Sequence, residues 1–471
     1  MLLNYSRLIK LLILSLSAGI LISCGSDDSP DTTPIDDDPI DIGFIGEIDF
    51  VKTFGGSDEE KAVSLVLAND GGYVILGSSK STDGDLANRT GSDSDYWLLK
   101  LDAQGEKIWS NTFGGTEDDV ATNVSKTSDG GYIISGHSES SDGDVTENAG
   151  FQDYWIVKVD GGGNLQWEKS YGFVGGDQAQ KVFQTSEGNY FATGFFDVGA
   201  CEPLDPTILC PGNDFQNGSQ TGLKNPQHGV GEFWGILMDE NGEKIWRRYF
   251  GGSNNDRSYD ALQTNDGGFL LIGESESDDF DIIDDKGSYD VWVVRLSATG
   301  EKLWTRSFGG SEIDRGSSVI KTADGNYLLV GDTRSEDQDV SFIHGNADAW
   351  VIKFDDSGSI IWEKTYGGSE FDAARNVYPL ADGSYVVAGI SRSSDGDVTT
   401  NKGQSDIWVF IIDEDGTMTF ETTIGGTNLD FGSSAIQTLE DEIVIVGDTE
   451  SDDFDVTLNR GIKDLIVIKI K

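Results

Sequence analysis

The stretch FGGSEIDRGSSVIKTADGNYLLVG, residues 308–331, decides how the chain is read. Asp348-Ala349-Trp350, Gly358 and Trp362 complete the unit, and the unit is not unique. Counted from the residue before Gly-Gly, its landmarks return seven times, starting at Phe54, Phe113, Tyr171, Phe250, Phe308, Tyr366 and Ile424. Twenty-three residues after each start stands a glycine: Gly77, Gly136, Gly194, Gly273, Gly331, Gly389 and Gly447. Six residues after each stands a carboxylate: Glu60, Asp119, Asp177, Asp256, Asp314, Asp372 and Asp430. A self-similar period of about 58 residues means one modular architecture rather than several unrelated domains.

Within the unit, Ser317–Thr322 reads as a first strand (a) and Tyr327–Gly331 as a second (b). Asp348–Phe354 is a third (c) and Ile360–Tyr366 a fourth (d). Asp-Gly and Ser-Gly steps at the a–b and c–d turns are hairpin signals. Strands b and c are almost continuously apolar, as expected where both faces of a sheet are covered. Four-stranded antiparallel units at this period predict an all-β propeller, with a stacked solenoid as the rival. Closure separates the two. The seventh unit stops after strand c, at Asp464-Leu-Ile-Val-Ile-Lys-Ile, while Gly46-Glu-Ile-Asp-Phe-Val-Lys-Thr-Phe aligns without a gap on the strand-d segment Gly105-Glu-Lys-Ile-Trp-Ser-Asn-Thr-Phe. The N-terminal segment is therefore expected to supply the outer strand of the last blade. The expected seven blades cover about 57–113, 116–171, 174–250, 253–308, 311–366, 369–424, and 427–471 plus 46–54. No capping unit of the kind a solenoid needs is visible.

The pattern F-G-G-S-x-x-D … D-G-G-Y … G-x-S-x-S-x-D-G-D … D-x-W-x-x-K-x-D-x-x-G-x-x-x-W, over residues 46–471, resembles the SBBP-type β-propeller repeats of secreted bacterial proteins. The resemblance implies the scaffold. It implies little about activity, since propellers host both enzymes and binding platforms.

Ahead of the repeats, Arg7 and Lys10 precede an apolar run from Leu11 to Ile22 that ends Leu21-Ile22-Ser23-Cys24. The run is short for a bilayer span and reads as an export signal. Its end resembles a bacterial lipobox, so residues 1–24 are expected to be a signal segment with Cys24 as the acylated residue. Residues 25–45 are polar, acidic and punctuated by proline, and read as a tether. An acidic stretch just after the lipidated cysteine resembles the surface-export signal of Bacteroidetes-type lipoproteins. That resemblance implies an outer-membrane, outward-facing address with membrane contact through the N-terminal anchor alone. Cys201 and Cys210 remain as one expected disulfide in an oxidising compartment.

Charge narrows the partners. Eighty-three Asp and Glu against 33 Lys and Arg give a formal net charge of -50, which repels nucleic acid and attracts cations. Besides the ring of acids six residues into each unit, the b–c loops carry Asp-x-Asp at Asp83/Asp85, Asp142/Asp144, Asp279/Asp281, Asp337/Asp339, Asp395/Asp397 and Asp453/Asp455. A third set opens strand c: Asp95, Asp153, Glu232, Asp290, Asp348, Asp406 and Asp464. Oxygen ligands at alternate positions suit Ca2+, the one cofactor considered. The other reading is backbone capping by side-chain oxygens wherever the loop repeats.

Tryptophans recur on strand c (Trp97, Trp155, Trp234, Trp292, Trp350, Trp408) and strand d (Trp109, Trp167, Trp246, Trp304, Trp362). Recurrence at blade after blade favours packing over a sugar platform. The three histidines, His137, His228 and His344, lie in different blades, and no nucleophile elbow, zinc-protease helix or P-loop is present. One blade breaks the pattern: the b–c loop at 197–231 is longer and holds both cysteines, four prolines and His228. Long loops that depart from a local rule are candidates for recognition. The sequence therefore predicts a non-catalytic binding or adhesion scaffold for glycan or an extracellular protein. The alternative is a carbohydrate-active hydrolase or lyase using top-face acids. An enzyme should show a few solitary acids, His or Tyr at one end of the channel; a scaffold should show near-equivalent blades.

Overall fold

The computed structural model describes residues 44–197, 229 and 231–471. Strands and turns make up this part, apart from one short 3-10 turn at Gly84–Leu86. The strands form seven four-stranded antiparallel sheets. In the unit that opens at Phe308, strand a is Asp314–Lys321, b is Tyr327–Thr333, c is Asp348–Phe354 and d is Ile360–Tyr366. Strand a starts earlier than its apolar run does, because the ring acid itself opens the ladder, Asp314 lying opposite Thr333.

The last sheet closes the ring. Its order is the segment Ile48–Phe54, then Asp464–Ile470, Ile443–Thr449 and Asp430–Gln437. Ile48 pairs with Ile470 and Phe54 with Leu465, so the expected strand exchange is present and the last sheet has its fourth strand. Neighbouring blades are also joined along one rim: the ring-acid N–H donates to the previous blade, as from Asp314 to the Tyr289 carbonyl at 2.7 Å and from Glu60 to the Lys463 carbonyl at 2.8 Å.

Strands b and c are buried along their whole length in most blades, as in Tyr327–Thr333 and Asp348–Phe354. The six strand-c tryptophans are at most 2% exposed, too deep to meet a ligand, so packing is their role. Each buries about 150–250 Å² of ring surface between sheets. The strand-d tryptophans are half-buried and cover the c–d turn of the following blade. A Cβ on Gly358, whose φ is +77°, would sit 3.1 Å from the Trp304 ring, and one on Gly163 (φ +78°) 2.7 Å from Trp109. Glycine is required there both by the left-handed backbone and by the ring above it.

The strand-b glycines have a specific steric cause. Every strand a carries a β-bulge three residues after its ring acid, for example between Gly316 and Ser318 and between Ala62 and Ser64. The bulge turns a strand-a carbonyl toward the glycine opposite. A Cβ on Gly331 would lie 1.7 Å from the Arg315 oxygen, and one on Gly77 2.0 Å from the Lys61 oxygen. The close approach is thus inside each blade, and at Gly136 and Gly194 a tyrosine hydroxyl of the preceding blade, Tyr96 or Tyr154, presses on the same spot.

Candidate functional site

The Gly-Gly turn between strands d and a presents consecutive N–H groups, a concavity that ordinarily attracts an anion. The chain supplies its own. In the fifth blade Gly309 donates to Asp339 (3.3 Å), Gly310 to Asp314 (2.7 Å), Ser311 to Asp337 (2.8 Å) and Glu312 to Ser335 Oγ (3.0 Å). The ring acid also accepts from the Ser335 hydroxyl at 2.8 Å and from Thr333. The same constellation recurs wherever the loop carries Asp-x-Asp. Its acceptors are Asp85, Glu60, Asp83 and Ser81 in the first blade. They are Asp144, Asp119, Asp142 and Ser140 in the second, and Asp281, Asp256, Asp279 and Ser277 in the fourth. In the sixth they are Asp397, Asp372, Asp395 and Ser393, and in the seventh Asp455, Asp430, Asp453 and Ser451. The Asp-x-Asp residues and the ring acids therefore meet on one rim and serve as caps.

In this placement Asp83/Asp85, Asp142/Asp144, Asp279/Asp281, Asp337/Asp339, Asp395/Asp397 and Asp453/Asp455, whose spacing suits calcium as well as capping, act as acceptors for the turn. The first aspartate of each pair receives the N–H two residues past the start of the Gly-Gly turn, and the second receives the N–H of the first glycine. Asp144, Asp281 and Asp397 do so at 3.3, 3.3 and 3.2 Å. The two side chains of a pair are thus spent on different donors rather than turned toward one point. Among the described residues no three His, Cys, Asp or Glu side chains converge as metal ligands would. The second aspartate often meets a cation of the chain as well: Asp85 meets Lys107 at 2.5 Å, Asp455 meets Lys402 at 3.0 Å, and Asp281 meets Lys302. Asp397 stands 3.8 Å from His344 Nε2. In the third blade, whose loop lacks Asp-x-Asp, Asp177 accepts from Phe173 and Asp197 instead.

The third set of acids lies beside the ring acids of the next blade. A Cβ on Gly172 would be 2.1 Å from Asp153 Oδ1 and 2.9 Å from Asp177 Oδ2, and Gly309 stands in the same relation to Asp290 and Asp314. One oxygen of each of these acids accepts a hydrogen bond, such as Ala149 N–H to Asp153 at 2.6 Å and Lys286 N–H to Asp290 at 2.6 Å. The other oxygen has no hydrogen-bond partner in Asp95, Asp153, Asp290, Asp348, Asp406 and Asp464. Burial pushes Asp153 up to about 6 and Asp290 up to about 8. Among the ring acids it pushes Asp119 and Asp256 to about 6 and Asp177 to about 8.

All seven ring acids are fully buried. They hold the turn and cannot reach a substrate. His137 is buried in the second blade, where desolvation lowers its imidazole to about 4. His344 lies in the fifth, its Nδ1 2.6 Å from Asp348. The structure does not bring them together. Cys24, Cys201, Cys210, His228 and the 198–228 part of the long loop lie outside the described residues.

What differs from blade to blade is gathered elsewhere. The bulge residue, three positions after each ring acid, is Val63, Thr122, Gln180, Tyr259, Ser317, Arg375 and Ser433, and all seven line the central channel. The bulge re-aims this side chain out of the ladder, so seven like backbones present six different side chains. Toward the rim that carries the Gly-Gly turns, the channel opens into a cavity of about 640 Å³ that also takes in Arg257, Arg315 and Glu274. Arg315 Nε donates to Glu274 at 2.8 Å, and the Tyr259 hydroxyl donates to the other Glu274 oxygen at 2.7 Å. Arg375 stands 3.8 Å from Asp332, whose carboxyl is fully buried and raised by that burial against the pull of Arg375, Arg315 and Arg334. Arg257 lies over the Phe195 ring at 5.1 Å, and its Nε has no acceptor.

Two further departures lie on the same face. The middle residue of Asp-x-Asp is left-handed in every loop that has the motif. It is glycine at Gly84 (φ 59°), Gly143 (φ 67°) and Gly396 (φ 65°), but phenylalanine at Phe280 and Phe454 (both φ 52°) and Gln338 at φ 57°. The reciprocal bond runs from the N–H of the second aspartate to the Gly-Gly turn. It is 2.9–3.0 Å in the glycine loops, from Asp85, Asp144 and Asp397, and 3.1–3.3 Å from Asp281, Asp339 and Asp455. Phe454 is 65% exposed and Phe280 43%.

Neither the arginines at the mouth nor these phenylalanines were singled out from sequence. The signal was available in both cases: positions of fixed spacing whose residue varies among the units, and a bulky residue where sister loops carry glycine.

No family model matches the sequence. A 101-residue stretch, 20% of the chain, is 28% identical to regulatory protein FlaEY of Caulobacter vibrioides, and the chain spans about a tenth of that protein's length (11%). Among solved structures, the chain is similar to a protein of unknown function from Bacteroides caccae (10% identity, TM-score 0.39, covering 78% of this chain and 94% of that one). It is similar also to the Pan2 WD40 domain of Neurospora crassa (10% identity, TM-score 0.45, 89% and 95%). A third is Sqt1 from Chaetomium thermophilum (11% identity, TM-score 0.40, 89% and 99%). At these scores the likenesses add nothing to the functional reading.

Proposed function

We propose that the chain is a lipid-anchored, outward-facing binding scaffold that takes a glycan or an extracellular protein on the face carrying the Gly-Gly turns and the channel mouth. One observation carries this reading. Phe454 occupies a left-handed backbone that glycine fills in sister loops, and it is 65% exposed. A bulky residue in that conformation costs roughly 1–2 kcal/mol, and strain kept at an exposed position points to use rather than to packing. Cys24 acylation, the 25–45 tether and the surface address belong to the same proposal.

Phe454→Gly separates fold from use. It should raise stability by about 1 kcal/mol, because relief of the backbone outweighs the extra freedom of glycine in the unfolded chain. It should also weaken retention on an immobilised panel of extracellular polysaccharides and proteins. A variant that is no more stable, or that binds as the parent does, would defeat the reading.

The second reading, a carbohydrate-active hydrolase or lyase, draws on the Tyr259–Glu274 pair at the channel mouth. It ranks below binding because Glu274 is 4% exposed with both oxygens engaged, and the ring acids are sealed. Release of new chain ends from polysaccharides incubated with the protein would reverse that order.

A further inference from the structure

The chain carries a formal charge of -50, so an anionic ligand should be repelled from most of its surface. The channel mouth is a local exception. Three guanidiniums from successive blades, Arg257, Arg315 and Arg375, line one cavity against two carboxylates, Glu274 and Asp332. Arg257 and Arg315 share one repeat position, which is Lys61, Val120, Gln178, Ala373 and Phe431 in the other blades, and the Arg375 position is Val63, Thr122, Gln180, Tyr259, Ser317 and Ser433 elsewhere. The cluster is therefore not a by-product of the repeat.

The two acids do not cancel it. Glu274 is held behind Arg315 and Tyr259, and Asp332 is fully buried behind Arg375 at 3.8 Å. The acids fix the arginines from behind, and Arg315 and Arg375 keep 39% of their side-chain surface open. Arg257 has no carboxylate within ion-pair distance among the described residues, and its Nε is a buried donor without an acceptor. A planar fork of N–H donors is suited to a carboxylate or a sulfate. A low-dielectric channel wall concentrates the field at its mouth.

The rest of the lining sets polar groups, from Tyr259, Gln180, Ser317 and Thr122, beside apolar ones that include Phe431 and Ile390. The phenol, amide and hydroxyls suit the hydroxyl-rich edge of a sugar, and the Phe431 ring suits its C–H face. The size, about 640 Å³, is within the usual range for a small-ligand pocket.

We propose that the channel mouth is a subsite for an acidic sugar, with Arg257, Arg315 and Arg375 receiving its carboxylate or sulfate-ester group. The assignment rests on the binding reading above and specifies its ligand class.

The test uses the full chain and titrates three probes: an oligouronate, a neutral oligosaccharide of equal length, and inorganic sulfate. Arg257→Gln is the variant of choice, since it leaves no buried acid without its partner; Arg257→Lys retains the charge without the fork. The parent should bind the oligouronate more tightly than the neutral sugar, with affinity falling as salt rises. Arg257→Gln should lose about tenfold or more for the oligouronate, the usual effect of one charge-assisted hydrogen bond, and keep its affinity for the neutral sugar. Arg257→Lys should fall between. Equal affinity of the parent for acidic and neutral sugars, or an Arg257→Gln variant unchanged toward the oligouronate, would overturn the subsite and leave the scaffold reading standing. Sulfate alone binding as tightly as the oligouronate would show that the mouth reads a free anion, which also overturns it. If neither sugar binds at all while an extracellular protein does, the acidic-sugar assignment falls and the scaffold remains.

Discussion

Replacing Asp153 by asparagine should stabilise the protein in mild base and leave it unchanged in acid below the ordinary carboxyl range. Asp153 is 1% exposed. Its Oδ2 accepts the Ala149 N–H at 2.6 Å, while Oδ1 has no donor. That orphan oxygen and Asp177 Oδ2 flank Gly172, which brings them within about 5 Å of each other, a distance at which like charges oppose ionisation. Burial pushes the Asp153 carboxyl from 3.8 up to about 6. A raised value means that the folded chain holds this proton more tightly than the unfolded chain does. The associated stability is complete below pH 4 and is lost as pH rises through 6. Two pKa units at 1.36 kcal/mol each make the loss about 3 kcal/mol by pH 8. Asparagine retains the acceptor for Ala149, offers Asp177 a donor and cannot ionise. Denaturant unfolding of parent and variant should therefore give near-equal stabilities at about pH 3.5 and a gain of up to about 3 kcal/mol for the variant at about pH 8. A variant equally destabilised at both values would refute the reasoning. A loss confined to pH 8 would mean that the charged carboxylate is held by something that favours it, such as a bound cation.

The same logic applies to the ring as a whole. Burial raises Asp119, Asp256 and Asp406 to about 6, and Asp177 and Asp290 to about 8, so the melting temperature should fall as pH climbs from 5 to 9. It should fall again below pH 4, where Asp129 and Asp266, held near 2 against desolvation by threonine and by Lys158 or Arg295, take up protons; a flat profile between 5 and 9 would contradict the first limb. Deleting residues 46–54 removes the outer strand of the last blade and its pairing with Asp464–Ile470. The truncated chain should melt lower and self-associate through the exposed edge, visible as a concentration-dependent mass in solution. Calcium at the Asp-x-Asp loops remains a separate proposal: because those oxygens already accept backbone N–H groups, chelator should leave the melting midpoint unchanged, and a rise on adding Ca2+ would establish a cation site there.

The sequence was most legible where one physical demand recurs in every unit. Blade number, strand order and the exchange that completes the last sheet all follow from spacing, because a strand paired out of register would move its apolar residues to the wrong face. The glycine of strand b was visible as a landmark, but its reason was not. It answers a carbonyl displaced by a bulge on the neighbouring strand, and a bulge leaves no residue signature of its own. The acids were legible as three sets on their spacing; that two of them cap one turn while the third faces the next blade's ring acid depends on distances that spacing does not carry. Alternation in Asp142/Asp144, Asp279/Asp281 or Asp395/Asp397 suits a cation and a turn equally well, and only the direction of the neighbouring N–H groups separates them. The mouth was hardest to see. Arg257, Arg315 and Arg375 are scattered among 471 residues, and only the closed ring makes them neighbours.

The exchange that completes the last sheet also sets the route of mechanical load. Tension arriving along the chain from ahead of residue 44 enters the ring through Ile48–Phe54, which is held to its neighbour by hydrogen bonds rather than by a covalent turn. Drawn outward, that strand peels from the Ile470 end one pair at a time; drawn lengthwise, its pairs share the force and resist together. The other six sheets are each continuous chain, so a pull strong enough to open the molecule should part this seam first and leave them folded.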